Sequence, residues 1–235
     1  MSMRNFVFTL LGLLVACCLS AQNRTLVAYY SYTGNVKAIT NELKNLISAD
    51  FVEILPAEEG VKYEANNYAI GSALISAIRN NPDNADSYPE IKSIDIEFSQ
   101  YDNIIIATPL WWSNMAAPMQ TFLFNNGGEM NGKNISLIVS SASSSIQSVV
   151  DDSKRLIPDG IFSNESLWIN NSNRSDMPTL LDNWIKTTTL SLDKHGTSVT
   201  TIKISNISNS NMYDLQGRLI KSPQKGQIYI QNGEK

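Results

Sequence analysis

Thiols are almost absent from this sequence. Its two cysteines are Cys17 and Cys18, both within the first apolar stretch. The chain beyond them has no disulfide, no redox pair and no thiolate metal site. Histidine is nearly absent too, and the single one, His195, sits at a His-Gly break between two regions of different pattern. It reads as an exposed or capping side chain rather than a catalytic one. No block of lysine and arginine occurs, and the formal net charge is −4. A phosphate-backbone partner such as DNA or RNA is therefore not expected. No apolar run is long enough to span a bilayer comfortably, the longest being Phe6 to Cys18.

That first run carries its own signal. Arg4 precedes it and small residues follow it, which is the layout of a secretory leader over residues 1–21. Two endings compete. Cleavage after Ala21 frees Gln22. Alternatively, Leu14-Val15-Ala16-Cys17 resembles a lipoprotein box, and Cys17 becomes a lipidated N-terminus. An exported protein, periplasmic or at the cell surface, is expected, with a lipid anchor as its one contact with the membrane.

With 43% hydrophobic residues, the remainder can bury an α/β core and still carry an appendage. Beyond residue 24 the pattern alternates between strand and helix. Strands are expected at 25–30, 51–55, 103–108, 135–139 and 166–169. Helices are expected at 35–48, 68–78, 118–124, 146–156 and 177–190. Repeated βα units imply parallel strands with right-handed crossovers. The expected fold is a doubly wound, five-stranded parallel sheet of order 2-1-3-4-5 over residues 22–190. Residues 191–235 lose the helical spacing. Short alternating runs separated by Gly217, Pro223 and Gly226 read as a small β-rich module.

In such sheets ligands bind beyond the carboxyl ends of the strands. The first strand ends in Ser31, Tyr32, Thr33, Gly34, Asn35 and Val36. Hydroxyls, an amide and a glycine at a helix N-terminus suit an anion, because unpaired N–H groups and the helix dipole converge there. Neither GxxxxGK[ST] nor GxGxxG is present, and the loop has no carboxylate for Mg²⁺. A terminal monophosphate fits best; an ordinary capped first turn is the plain alternative. The third strand runs into Pro109, Leu110, Trp111 and Trp112, which together suit a flat aromatic wall. One Trp buried in the core and the other over a helix end is the competing reading. The fourth strand ends in Ser141, Ala142, Ser143 and Ser144, whose short side chains and amides suit the polar rim of a heterocycle, or else form a plain connection with a helix cap. The three loops together describe a site for flavin mononucleotide (FMN). A phospho-receiver of the same topology would need acids where Tyr29-Tyr30-Ser31 stands.

These residues resemble a known family. YYSYTGNVKAI is similar to the phosphate loop of the flavodoxins, and TPLWWSNMAAPMQTFL to the second flavin loop of a branch with a Pro-hydrophobic-Trp-Trp sequence. SYPEIKSIDIEFSQYDNIIIATP is similar to that branch's approach to the third strand. The resemblance covers residues 25–187. It implies a flavodoxin-like fold that binds FMN without covalent attachment. Ser31 to Val36 would surround the phosphate, Pro109 to Trp112 would lie along the ring system, and Ser141 to Ser144 would border its pyrimidine side. Two departures stand out. Val36 replaces a usual hydroxyl residue, and Ala142-Ser143 stand where glycine is usual. The tail, MYDLQGRLIKSPQKGQIYIQNGEK, resembles the C-terminal sorting module of exported Bacteroidetes-type proteins.

The expected function is electron transfer, or a small oxidoreductase using NAD(P)H or a quinone as redox partner. A flavin-free surface or binding module on the same fold is the alternative. No side-chain nucleophile or acid/base pair is required, and an acidic, aromatic surround predicts a low potential for the last reduction step.

Overall fold

The structure, a computed structural model, describes residues 24–188 and three two-residue strands at 212–213, 219–220 and 230–231. The leader expected over 1–21 and His195 lie outside the described residues. The described chain falls into two units, the larger holding residues 24–188.

Its elements follow in order: β1 (Thr25–Tyr29), α1 (Asn35–Leu46), β2 (Asp50–Glu53), α2 (Ala65–Asn80), β3 (Asn103–Trp111), β4 (Asn114–Met115), α3 (Ala117–Asn126), β5 (Asn134–Ser140), α4 (Gln147–Leu156), β6 (Ile161–Phe162), β7 (Leu167–Ile169) and α5 (Met177–Thr187). The main sheet is parallel, in the order β2-β1-β3-β5, with β6 and β7 both on the far edge of β5. This is the expected 2-1-3-4-5 order, with its fifth position shared by two short strands. While β5 advances from Ile135 to Ile138, its neighbour advances from Phe162 to Leu167, so the edge strand bulges outward. The bulge is held in place: Glu165 O accepts from the Trp184 indole N–H of α5 at 3.2 Å.

The period of two along each strand builds two cores. Leu26 and Ala28, Ile104 and Ile106, and Leu137 and Val139 face α2, α3 and α4. Val27 and Tyr29, Ile105 and Ala107, and Ile138 face α1 and α5. α1 forms because Val36, Ile39, Thr40 and Leu43 fall on one face and are buried there. α5 starts with Pro178 in its first turn and buries Leu181, Trp184 and Ile185. Because α1 and α5 share one side of the sheet, their N-termini open near the same end of the strands. The smaller unit is an antiparallel sheet of β8 (Met212–Tyr213), β9 (Leu219–Ile220) and β10 (Ile230–Gln231), with β8 central.

Candidate functional site

The carboxyl ends of β1, β3, β5 and β7 surround a cavity of about 790 Å³. That volume is typical of a small-molecule site.

The first wall is the β1–α1 loop. Thr33, Asn35 and Tyr32 line the cavity. Gly34 takes φ +83°, and a Cβ there would meet nothing within 4 Å, so the backbone conformation and not crowding calls for glycine. The loop is internally tied: Asn35 Nδ2 donates to Thr33 Oγ1 at 3.1 Å. Ser31 does not line the cavity; its Oγ accepts from the Lys37 backbone N–H at 3.0 Å and so caps the first turn of α1. The N–H groups of Asn35 and Val36 donate to no acceptor among the described residues. The Val36 side chain is buried in the core beside α5, so only its backbone can serve the loop.

The second wall is an unforeseen hairpin. Leu110 pairs with Met115 and Trp111 with Asn114, which makes β4 an antiparallel return of β3. Its two turn residues, Trp112 and Ser113, take φ of +45° and +64°. Two positive φ angles are the mark of a type I′ turn, which tightens a hairpin but strains residues with a Cβ. A polar clamp holds this turn. Asp152 Oδ2, from α4, accepts from Met115 N at 2.9 Å and from Asn114 Nδ2 at 3.2 Å. Arg79, from α2, donates to Asn114 Oδ1 at 2.7 Å. Both tryptophans line the cavity, together with Pro109 and Leu110. Trp111 is packed by Tyr30, Tyr32 and Tyr63, the last ring at 4.8 Å. Burial pushes the Tyr30 and Tyr63 phenols up, so both stay neutral near pH 7. Trp112 lies over Gly71 of α2, where a Cβ would come within 2.7 Å of its ring.

The third wall is the β5–α4 loop. Ser141 and Ala142 line the cavity, whereas Ser143 and Ser144 do not. The Ser141 hydroxyl accepts from the Trp168 indole N–H at 2.8 Å and donates to Ser144 O at 3.1 Å. None of Ala142, Ser143 and Ser144 takes a positive φ, so the missing glycine costs no backbone strain here.

The sequence matches the flavodoxin family model over residues 24–188. The chain belongs to the flavodoxin family. Among solved structures, this flavodoxin resembles a flavoprotein from Lactobacillus acidophilus in complex with FMN. Their identity is 20% and their TM-score 0.52, over 66% of this chain and 99% of that one. It also resembles a candidate flavoprotein from Bacteroides eggerthii, at 24% identity and TM-score 0.52, over 69% of this chain and 98% of that one.

Two parts of this flavodoxin's cavity were not visible in its motifs. Tyr63 and Glu64 enter from the β2–α2 connection, and Tyr68 from the first turn of α2. Asn171 and Arg174 enter from a fourth loop, after β7. The topology alone points to that loop, since β7 ends at the same edge as β5. Its composition, with Asn170, Asn171 and Asn173, signals only a turn. Those asparagines build the turn: Asn170 Oδ1 accepts from Ser172 N at 2.8 Å, and Asn173 Oδ1 accepts from Asn170 N at 2.8 Å. Arg174 is thereby brought against the first loop, where its NH1 donates to Asn35 Oδ1.

Proposed function

We propose that this flavodoxin binds FMN without covalent attachment and acts, outside the cytoplasm, as an electron carrier or a small NAD(P)H- or quinone-linked oxidoreductase. The observation that carries the reading is a cavity of small-molecule size between an amide-and-hydroxyl loop and an indole wall. The residues fit the group. Gly34 curls the first loop, and the free N–H groups of Asn35 and Val36 suit a phosphate. Trp111, Trp112, Pro109 and Leu110 offer apolar and aromatic surface for a flat ring system. Ser141 and Ala142 offer polar atoms at its rim. When bound, the flavin supplies the capacity to accept one or two electrons. The protein's part is to bind, to orient and to exclude water. An acidic chain and an apolar aromatic wall both oppose added negative charge, which favours a low potential for the final electron.

The test is FMN titration of the full chain, followed by tryptophan fluorescence. Saturable quenching is expected, because two indoles line the site. An unchanged signal, from a protein that takes up no FMN, would transfer the case to a flavin-free binding module. Anaerobic mixing of the loaded protein with NADH, NADPH and a quinone then separates carrier from reductase; bleaching by either nucleotide marks a reductase.

Export rests on the leader at 1–21 and on the tail's resemblance to a sorting module. N-terminal analysis of the protein from its native cell is expected to find a start at Gln22 or a lipidated Cys17. A retained Met1 on a cytoplasmic protein would overturn export.

A further inference from the structure

We infer that Arg174 makes the cavity selective for a ligand carrying a phosphomonoester, by holding that phosphate against the first turn of α1. The inference rests on the FMN reading for the remainder of the ligand, but the charge argument stands on Arg174 itself. A guanidinium is always charged and presents a planar fork of donors. In this flavodoxin one donor of that fork, NH1, is engaged by Asn35 Oδ1. The Nε is shut off from solvent, whereas the NH2 group is accessible and has no partner among the described residues, so NH2 is the donor open to a ligand. No carboxylate forms an ion pair with Arg174 among the described residues, where the paired cations are Arg24, Lys37, Lys92, Arg155 and Lys186. A guanidinium with an open, unpaired donor and no carboxylate beside it asks for an anion.

The position selects what that partner is. Arg174 lines the same cavity as Thr33 and Asn35. It stands on a turn fixed to the third loop, since Asn171 N donates to Ala142 O at 3.1 Å. The turn is fixed internally by Asn170 and Asn173, so the side chain is presented from a firm base. The Asn35 that accepts from its NH1 begins α1, where the N–H groups of Asn35 and Val36 have no acceptor among the described residues. A ligand reaching both would have a compact, multiply charged oxyanion at that end. A phosphomonoester meets this, with oxygens enough for a guanidinium edge and two amides. Glu64, the acid lining the cavity, comes from the β2–α2 side, which also carries Tyr63 and Tyr68 of the aromatic wall. The polarity of the cavity therefore runs from a cationic phosphate end to an aromatic end.

The experiment compares FMN with riboflavin, which shares the ring system and lacks the phosphate. Both are titrated into the full chain and into Arg174→Gln and Arg174→Lys variants, with tryptophan quenching as readout. Inorganic phosphate is titrated alone, with thermal midpoint as readout. The wild-type chain is expected to prefer FMN, and Arg174→Gln to lose FMN affinity on the order of ten- to hundredfold. Riboflavin binding should stay within about twofold, because the ring end is untouched. Arg174→Lys should recover part of the preference, since it keeps the charge but not the fork. Equal loss of both ligands in Arg174→Gln, or loss of neither, overturns the inference. If Arg174→Gln does not fold, Arg174→Lys decides: an FMN preference that is weakened but still present supports the inference, and one that is unchanged or wholly lost overturns it. FMN binding with no preference over riboflavin leaves the flavin reading standing and removes this one. Binding of neither flavin, with stabilisation by phosphate that Arg174→Gln abolishes, removes the flavin reading and leaves the anion site. Binding of neither flavin and no such stabilisation removes both.

Discussion

At the scale of single residues, partners decide more than residue type does. Val36 is legible in the sequence as a missing hydroxyl, but its burial in the α1–α5 core is not; only packing shows that the side chain leaves the loop. Ser31 illustrates the same limit, since the sequence allows it to serve either a ligand or a helix cap, and the Lys37 N–H takes it. Asp50 gives a clean titration test. The Arg24 guanidinium, and then the Tyr101 hydroxyl, hold its carboxyl below the ordinary range. A lowered folded pKa means stability that is present above the unfolded value of about 4 and is lost as pH falls through the folded one. The pair is half exposed, so its worth is limited to about 0.5–1 kcal/mol. Asp50→Asn is therefore expected to unfold more easily than wild type in urea at neutral pH, by that amount. The gap should close in urea titrations run at pH values well below 4, where both proteins lack the charge.

At the scale of elements, the helices and central strands were legible because burial on one or both faces leaves a period in the sequence. α1 shows it through Val36, Ile39 and Leu43, and β3 through its unbroken Ile104, Ile105 and Ile106. The β4 hairpin was not legible, because its turn uses Trp112-Ser113 where a type I′ turn ordinarily announces itself with Asn-Gly. The clamp from Asp152 and Arg79 shows what holds those angles. Asp152→Ala strips an acceptor from Met115 N–H and Asn114 Nδ2, and a charge partner from Arg155. A loss of about 1–3 kcal/mol is expected, together with weaker FMN quenching as the indole wall loosens. Gly127 tests a different contact, the close approach of α3's end to α4. A Cβ there would come within 2.0 Å of the Leu156 carbonyl oxygen, which belongs to backbone and cannot swing aside. Gly127→Ala should cost at least about 2 kcal/mol, read as a lowered denaturant midpoint. Gly71→Ala makes the contrast. Its Cβ would meet only the outer edge of the Trp112 ring, which is partly exposed and able to move. Alanine also suits a helix interior better than glycine, by about 1 kcal/mol. The thermal midpoint should hold or rise while FMN affinity falls, because Trp112 is displaced; unchanged affinity would mean Trp112 is no part of the ligand wall.

At the scale of the whole molecule, the match to the flavodoxin family covers residues 24–188, and the solved flavoproteins align over nearly their full length while covering about two thirds of this chain. The loss of helical spacing after residue 190 has a chemical cause: short alternating runs between glycines and a proline cannot build another amphipathic helix. The described residues that line the cavity all fall within 32–174. Both cores that position those walls close within residues 26–185. The described residues that build the site all lie within the larger unit. A chain cut after His195 should fold with a cooperative thermal transition, and its FMN affinity should match that of the full chain within about twofold. Fluorescence titration of the two chains side by side makes the comparison. A shortened chain that folds but binds FMN tenfold or more weakly would place part of the ligand site on the C-terminal unit, and the site built here from the sheet's carboxyl end would be incomplete.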